Sequence, residues 1–252
     1  MDGPTTGALV TGCLFAAGLG GMYLRQHLPA DSLTPGTVML LRRMVTALTL
    51  MTAIMLGFTT VSMKSSFDTA DRDVKRLSAQ IIELDRALRR IGPDAAPIRD
   101  LLFRYTSRII KDTWPDRHSR LPVGPLAPGE LREQLRNALE ALPALLPARV
   151  QSIAEARVIL RDIVATRLMI FEAIGSPLSP WLTAALVVWL MVTFGSLGLT
   201  APPSPIVVAS FFLLAIALGS AAFLTKEYED PFSGVISVSS VSMENALFSI
   251  AD

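Results

Sequence analysis

Four uncharged apolar stretches bracket one polar insert of more than a hundred residues, and no other feature restricts the fold so strongly. They run from Gly7 to Leu24, Met44 to Met63, Pro180 to Leu199 and Pro205 to Leu224. A helix needs about 20 apolar residues to cross ~30 Å of hydrocarbon, and each stretch is close to that length. Helices on the surface of a water-soluble domain keep a polar side, and these have none. The chain is therefore expected to be an all-α membrane protein. Four transmembrane helices hold a cytoplasmic helical bundle inserted between the second and the third. Residues 1–63 form the first two spans, 64–178 the stalk and bundle, 179–224 the last two spans, and 225–252 a cytoplasmic tail.

The first stretch opens Met-Asp-Gly-Pro with no Lys or Arg ahead of it. A cleavable signal needs a basic leader, so a retained helix is expected. Orientation follows from Lys and Arg near the span ends. Lys64, Arg72, Lys75, Arg76, Arg161, Arg167 and Lys226 fall on the side shared by the insert and both termini, against Arg25, Arg42 and Arg43 opposite. The positive-inside rule then places the insert and both termini in the cytoplasm. The insert has 19 Lys and Arg against 15 Asp and Glu, too balanced for a nucleic-acid surface.

Within the insert, Phe67, Ala70, Val74, Leu77, Ile81, Leu84, Leu88 and Ile91 recur at alternating steps of three and four, the pattern of a coiled-coil seam. Gly92 and Pro93 then stop the helix. No Gly or Pro lies between Gly57 and Gly92, so one helix is expected from about Met44 to Arg90. A second helix is expected over Pro93–Asp112, with Ile98, Leu101, Leu102, Tyr105 and Ile109 on one face. A Pro-rich loop over Trp114–Gly129, a short helix over Glu130–Leu142 and a long one over Pro147–Ile174 follow. Ile153, Ala156, Leu160, Ile163, Ile170 and Ile174 stripe that last helix, and Arg167 falls on the stripe. These stripes suit a helical bundle, and part of them could equally pack between subunits.

Ala8, Gly12, Ala16 and Gly20 repeat every four residues along the first span. Small residues at that spacing let helix backbones approach closely, within one subunit or between two. The second span is the most polar, with Thr46, Thr49, Thr52, Thr59, Thr60 and Ser62 among Leu, Met, Ile and Phe58. Two readings stand. The hydroxyls bond back to their own helix, or they line an aqueous pathway having an apolar constriction. On the second reading Thr49, Thr52, Leu56, Phe58, Thr59 and Thr60 are the pore candidates. Leu56 is preferred as the constriction because it shares a face with Thr49 and Thr60, and Phe58 is the rival.

Chemistry for catalysis is missing. The two histidines, His27 and His118, are far apart, and no His, Cys or carboxylate spacing suits a metal. Neither a phosphate-cradling Gly loop nor a GxSxG nucleophile turn is present. An enzyme is not expected, nor a cofactor. Cys13, the single cysteine, has no internal partner for a disulfide.

After the fourth span comes Glu229-Asp230-Pro231-Phe232-Ser233-Gly234. With Gly57-Phe58 in the second span, the polar helix Lys64–Arg90 and the Arg/Tyr-containing stretch Arg99–Arg108, it resembles the bacterial bestrophin-like membrane proteins, catalogued mainly as a domain of unknown function. The resemblance implies a homo-oligomeric, pentameric channel for small anions in the bacterial inner membrane, its pore lined by the second span. In bestrophins proper the Pro-Phe-Gly phrase leads into an acidic calcium clasp. Here Gly234 to Met243 hold no acid, so no calcium site is expected. Asp230, Pro231 and Phe232 are expected to fold back onto the cytoplasmic span ends. Val235 to Ser239 alternate like a strand, and Glu244 to Ile250 could form a short helix. The competing reading is a non-conducting membrane scaffold that assembles partners through its helical bundle.

Overall fold

A computed structural model describes residues 3–29, 34–114, 128–143, 147–174, 180–229, 231–232 and 234–251. Eight α-helices follow in order among them: α1 (Gly3–His27), α2 (Pro35–Ile91), α3 (Ala96–Thr113), α4 (Pro128–Glu140), α5 (Pro147–Ile174), α6 (Pro180–Thr200), α7 (Pro205–Glu229) and α8 (Val241–Ala251). No described residue is in a strand. The chain divides into two compact units, residues 1–67 with 177–236, and residues 68–176 with 237–252.

Three helices, α1, α2 and α7, are long and apolar enough to cross a membrane, and α6 carries a shorter apolar stretch, Ala184–Thr200. In the first unit α1 packs on both α6 and α7. Its core is Val10 and Leu14 of α1, Leu186, Leu190 and Phe194 of α6, and Phe211 and Ala215 of α7. Glycine brings these backbones together. A β-carbon on Gly21 would overlap the Gly195 carbonyl oxygen and lie 2.9 Å from its carbon. One on Gly198 would overlap the Gly18 carbonyl, and one on Gly7 would lie 2.9 Å from Phe223 Cβ. Such contact gains dispersion where lipid offers no hydrophobic reward. Within the chain, glycines other than those of the Ala8–Gly20 stripe make it. Ala8, Gly12, Ala16 and Gly20 are all exposed in the chain, and a β-carbon on Gly12 or Gly20 would meet nothing within 4 Å.

Helix α2 is unbroken for 57 residues and contributes to both units. In the second unit its seam residues Ala70, Val74, Leu77, Ile81, Leu84, Leu88 and Ile91 are all buried. Gly92 ends it at φ 102°, a conformation that favours glycine, and Pro93–Ala95 form one 3-10 turn before α3. Ile98, Leu102, Tyr105 and Ile109 of α3 are buried, as are Leu131, Leu135 and Leu139 of α4 and Ile153, Ala156, Leu160, Ile163 and Ile170 of α5. Arg167 explains its place on the α5 stripe: its guanidinium lies 5.4 Å from the centre of the Tyr105 ring. Residues 115–127 of the expected Pro-rich loop, the 175–179 connection, Asp230 and the side chain of Ile174 lie outside the described residues.

The strand-like alternation over Val235 to Ser239 does not become a strand. A strand needs a neighbour to take its backbone donors. Here Val235 N and Ile236 N donate instead to Glu227 Oε2 at 2.7 and 3.1 Å. Helix α8 then buries Met243, Ala246, Leu247 and Ile250, one face at helical spacing.

Candidate functional site: the exposed face of the second helix

Over the apolar part of α2, two sides have opposite fates. Val45, Thr52, Thr59 and Met63 are buried within the first unit, and Met55 and Leu56 pack against its core cluster. Leu50, Met51, Ile54, Phe58 and Val61 point away from the chain, and Phe58 is 75% exposed. The six expected pore residues are therefore split. Thr52 and Thr59 face inward, Leu56 and Thr60 lie at the margin, and Thr49 and Phe58 are exposed. The shared face inferred for Thr49, Leu56 and Thr60 is not one exposed surface, because α1, α6 and α7 cover part of it.

The hydroxyls are satisfied locally. Thr46, Thr49, Thr52 and Thr60 each donate to the carbonyl four residues earlier, at 2.7 to 2.9 Å. Thr60 Oγ1 also lies 3.5 Å from Thr225 Oγ1 of α7. Charge along α2 is one-signed around the apolar stretch. Arg42 and Arg43 stand before it and Lys64 after it, and the first carboxylate of the helix is Asp68. Lys64 Nζ sits 5.7 Å from the Phe67 ring centre and 5.8 Å from that of Tyr228.

Where α7 ends, Glu227 is 4% exposed. Besides holding Val235 and Ile236, its carboxylate lies so close to Gly3 and Gly234 that a β-carbon on either would collide with it. Gly234 adopts φ 87°, which lets the chain turn back toward that carboxylate. Pro231 is buried beside this turn in sequence and Phe232 is half-buried. The sequence pointed to Asp230-Pro231-Phe232 and passed over Glu227. The available signal was an acid in the last turn of a helix, where the helix dipole disfavours it. Such a residue needs donors from elsewhere.

In the second unit Asp85, 3% exposed, receives Arg89 Nε at 2.7 Å and Arg99 Nε at 2.6 Å, one on each oxygen. The same two guanidiniums donate onward to the carbonyls of Ser249 and Ile250 at the end of α8. Trp114 Nε1 donates to Val238 O at 2.9 Å. These bonds secure the tail to the bundle. No group of three or more His, Cys, Asp or Glu among the described residues is placed to hold a metal ion.

A family model described as the bestrophin-like domain matches residues 12–243. A mutant bacterial bestrophin homolog from Klebsiella pneumoniae superposes with a TM-score of 0.76 at 14% identity, over 100% of this chain and 98% of that one. A second mutant of a Klebsiella pneumoniae bestrophin homolog gives 0.72 at 15% identity, over 97% of each. At such identities the likeness concerns the fold. No curated protein sequence matches the chain.

Proposed function

Because the chain belongs to the bestrophin-like family, we propose that it assembles with copies of itself into a membrane channel for small anions, with α2 facing the pathway. The observation that carries this reading is the exposed apolar side of α2 through Leu50, Ile54, Phe58 and Val61, turned away from every other helix of its unit. Copies ringed about that side would place Phe58, rather than Leu56, at the narrowest apolar girdle. Apolar rings gate by shedding water. Rings of Arg42, Arg43 and Lys64 at the two ends, with no carboxylate from Pro35 to Phe67, would favour anions at both mouths.

The test is ion flux from liposomes containing the intact protein. Phe58→Ala should widen and wet the girdle and raise flux severalfold over wild type. Leu56→Ala should loosen packing without that rise. A scaffold that conducts nothing is the second reading, favoured by the hydroxyls of Thr46, Thr49, Thr52 and Thr60 bonding back to α2. It prevails if intact wild type and Phe58→Ala both match empty liposomes.

The topology proposed is four spans, with α6 as the third, in the bacterial inner membrane and both termini cytoplasmic. It rests on the apolar lengths and the Lys/Arg bias. A reporter active only in the periplasm and fused after Asp252 should stay silent. Strong activity would reverse the orientation.

A further inference from the structure

The second unit contains a cleft of about 590 Å³ between α4 and α5 that conduction through α2 does not use. Arg132 and Arg136 of α4 and Arg157 and Arg161 of α5 stand around it, and Leu139 and Leu160 lie beneath. Two carboxylates also line it, and both are engaged by α4. Glu133 pairs with Arg132 at 3.4 Å and with Arg136 at 2.6 Å, and Glu140 lies 4.0 Å from Arg136. Arg157 and Arg161 have no carboxylate within ion-pair distance among the described residues. They are one turn apart on α5, so their β-carbons are about 6 Å from one another. Two guanidinium forks at that spacing can converge on one carboxylate or phosphate. The floor is apolar, since Leu139, Leu160 and the half-buried Val164 line it. The volume falls within the roughly 300–1,000 Å³ of small-molecule pockets.

We propose that this cleft binds a small soluble organic anion, one carboxylate or phosphate attached to a compact apolar body. The acidic group seats on Arg157 and Arg161, and the body lies against Val164 with Leu139 and Leu160 behind it. A free inorganic ion would use only the rim, and a neutral hydrocarbon only the floor. The ligand class follows from having both. Occupancy would tie α4 to α5 and is independent of whether the protein conducts.

The probe is phenyl phosphate, titrated against the full chain in neutral detergent and followed by saturation-transfer NMR. Inorganic phosphate and benzyl alcohol are run as the separate halves. Wild type should saturate with Kd near or below ~1 mM, and inorganic phosphate should compete roughly tenfold more weakly. Arg157→Gln with Arg161→Gln should weaken phenyl phosphate by roughly tenfold or more, the scale of one charge-assisted hydrogen bond. Arg104→Gln, at an exposed arginine of α3 outside the cleft, should leave it unchanged. The proposal is overturned if wild type does not saturate, or if the double variant binds as wild type does. It is equally overturned if Arg104→Gln costs as much, or if inorganic phosphate competes as well as phenyl phosphate. The wild-type competition needs no variant, so a folding defect in the double variant leaves the question decidable.

Discussion

Gly21→Ala and Gly20→Ala add the same methyl group to neighbouring positions of α1, and they should change stability with opposite sign. At Gly21 the new carbon would stand 2.9 Å from the Gly195 carbonyl carbon and 3.1 Å from its Cα, with the carbonyl oxygen closer still. Ordinary contact begins near 3.4 Å, so α1 and α6 must part by half an ångström or more. The obstacle is backbone and cannot swing aside as a side chain would. Overpacking of this kind costs about 1–3 kcal/mol, and this site belongs at the upper end. Replacing Gly by Ala in a helix returns about 1 kcal/mol. The net for Gly21→Ala is a loss of about 2 kcal/mol, or roughly 4–8 °C in melting temperature for a chain of this size. At Gly20 nothing lies within 4 Å, so only the favourable ~1 kcal/mol remains within the chain. Melting of the detergent-solubilised protein, followed by tryptophan fluorescence, compares the three. A Gly21→Ala protein that melts with or above wild type would refute the close approach of α1 to α6. Gly20→Ala that melts normally but loses assembly mass would place the Ala8–Gly20 stripe between copies.

Asp85→Ala leaves the Arg89 and Arg99 guanidiniums without their carboxylate. Those side chains are 42% and 26% exposed and can turn to water, so the loss should be about 1–3 kcal/mol rather than that of a fully buried pair. It should appear as faster amide exchange in α8, and unchanged exchange there would show that α8 is held by its apolar face alone. Glu227→Gln keeps an acceptor but removes the charge from the bonds to Val235 and Ile236, a loss of about 1 kcal/mol. Exchange of those two amides should quicken severalfold, and equal rates in both proteins would deny the carboxylate this role.

Most of the helical scaffold could be read from periodicity. The expected seam is buried from Ala70 to Ile91 and half-buried at Phe67, because alternation of three and four keeps residues on one side of a helix. The same rule explains why the small-residue stripe of α1 lies off the face that packs within the chain. A strict step of four advances about 40° per repeat, so Ala8, Gly12, Ala16 and Gly20 wind around α1. Gly7, Val10, Leu14, Gly18 and Gly21 keep a mean step of 3.5 and stay on the packed side. The exposed side of α2 was less legible. Which of Leu56 and Phe58 is covered depends on α1, α6 and α7, and α6 and α7 arrive more than a hundred residues later in the chain. Glu227 was missed for a related reason. Its donors, Val235 and Ile236, are backbone groups, and side-chain spacing says nothing about them.

The interleaving of the two units has a consequence for how the protein is made. The helices of the insert leave the ribosome before α6 and α7, yet α8 emerges only after both. Until then the surface destined for Met243, Ala246, Leu247 and Ile250 stays bare, and the carbonyls that will receive Arg89 and Arg99 do not exist. Contacts this distant in sequence close slowly, and uncovered apolar surface invites aggregation while it lasts. The bundle must therefore wait, open on one side, through the synthesis of two further apolar helices. A nascent chain halted after Glu229 would present that open side to chaperones and proteases, and the emergence of α8 is what would withdraw it.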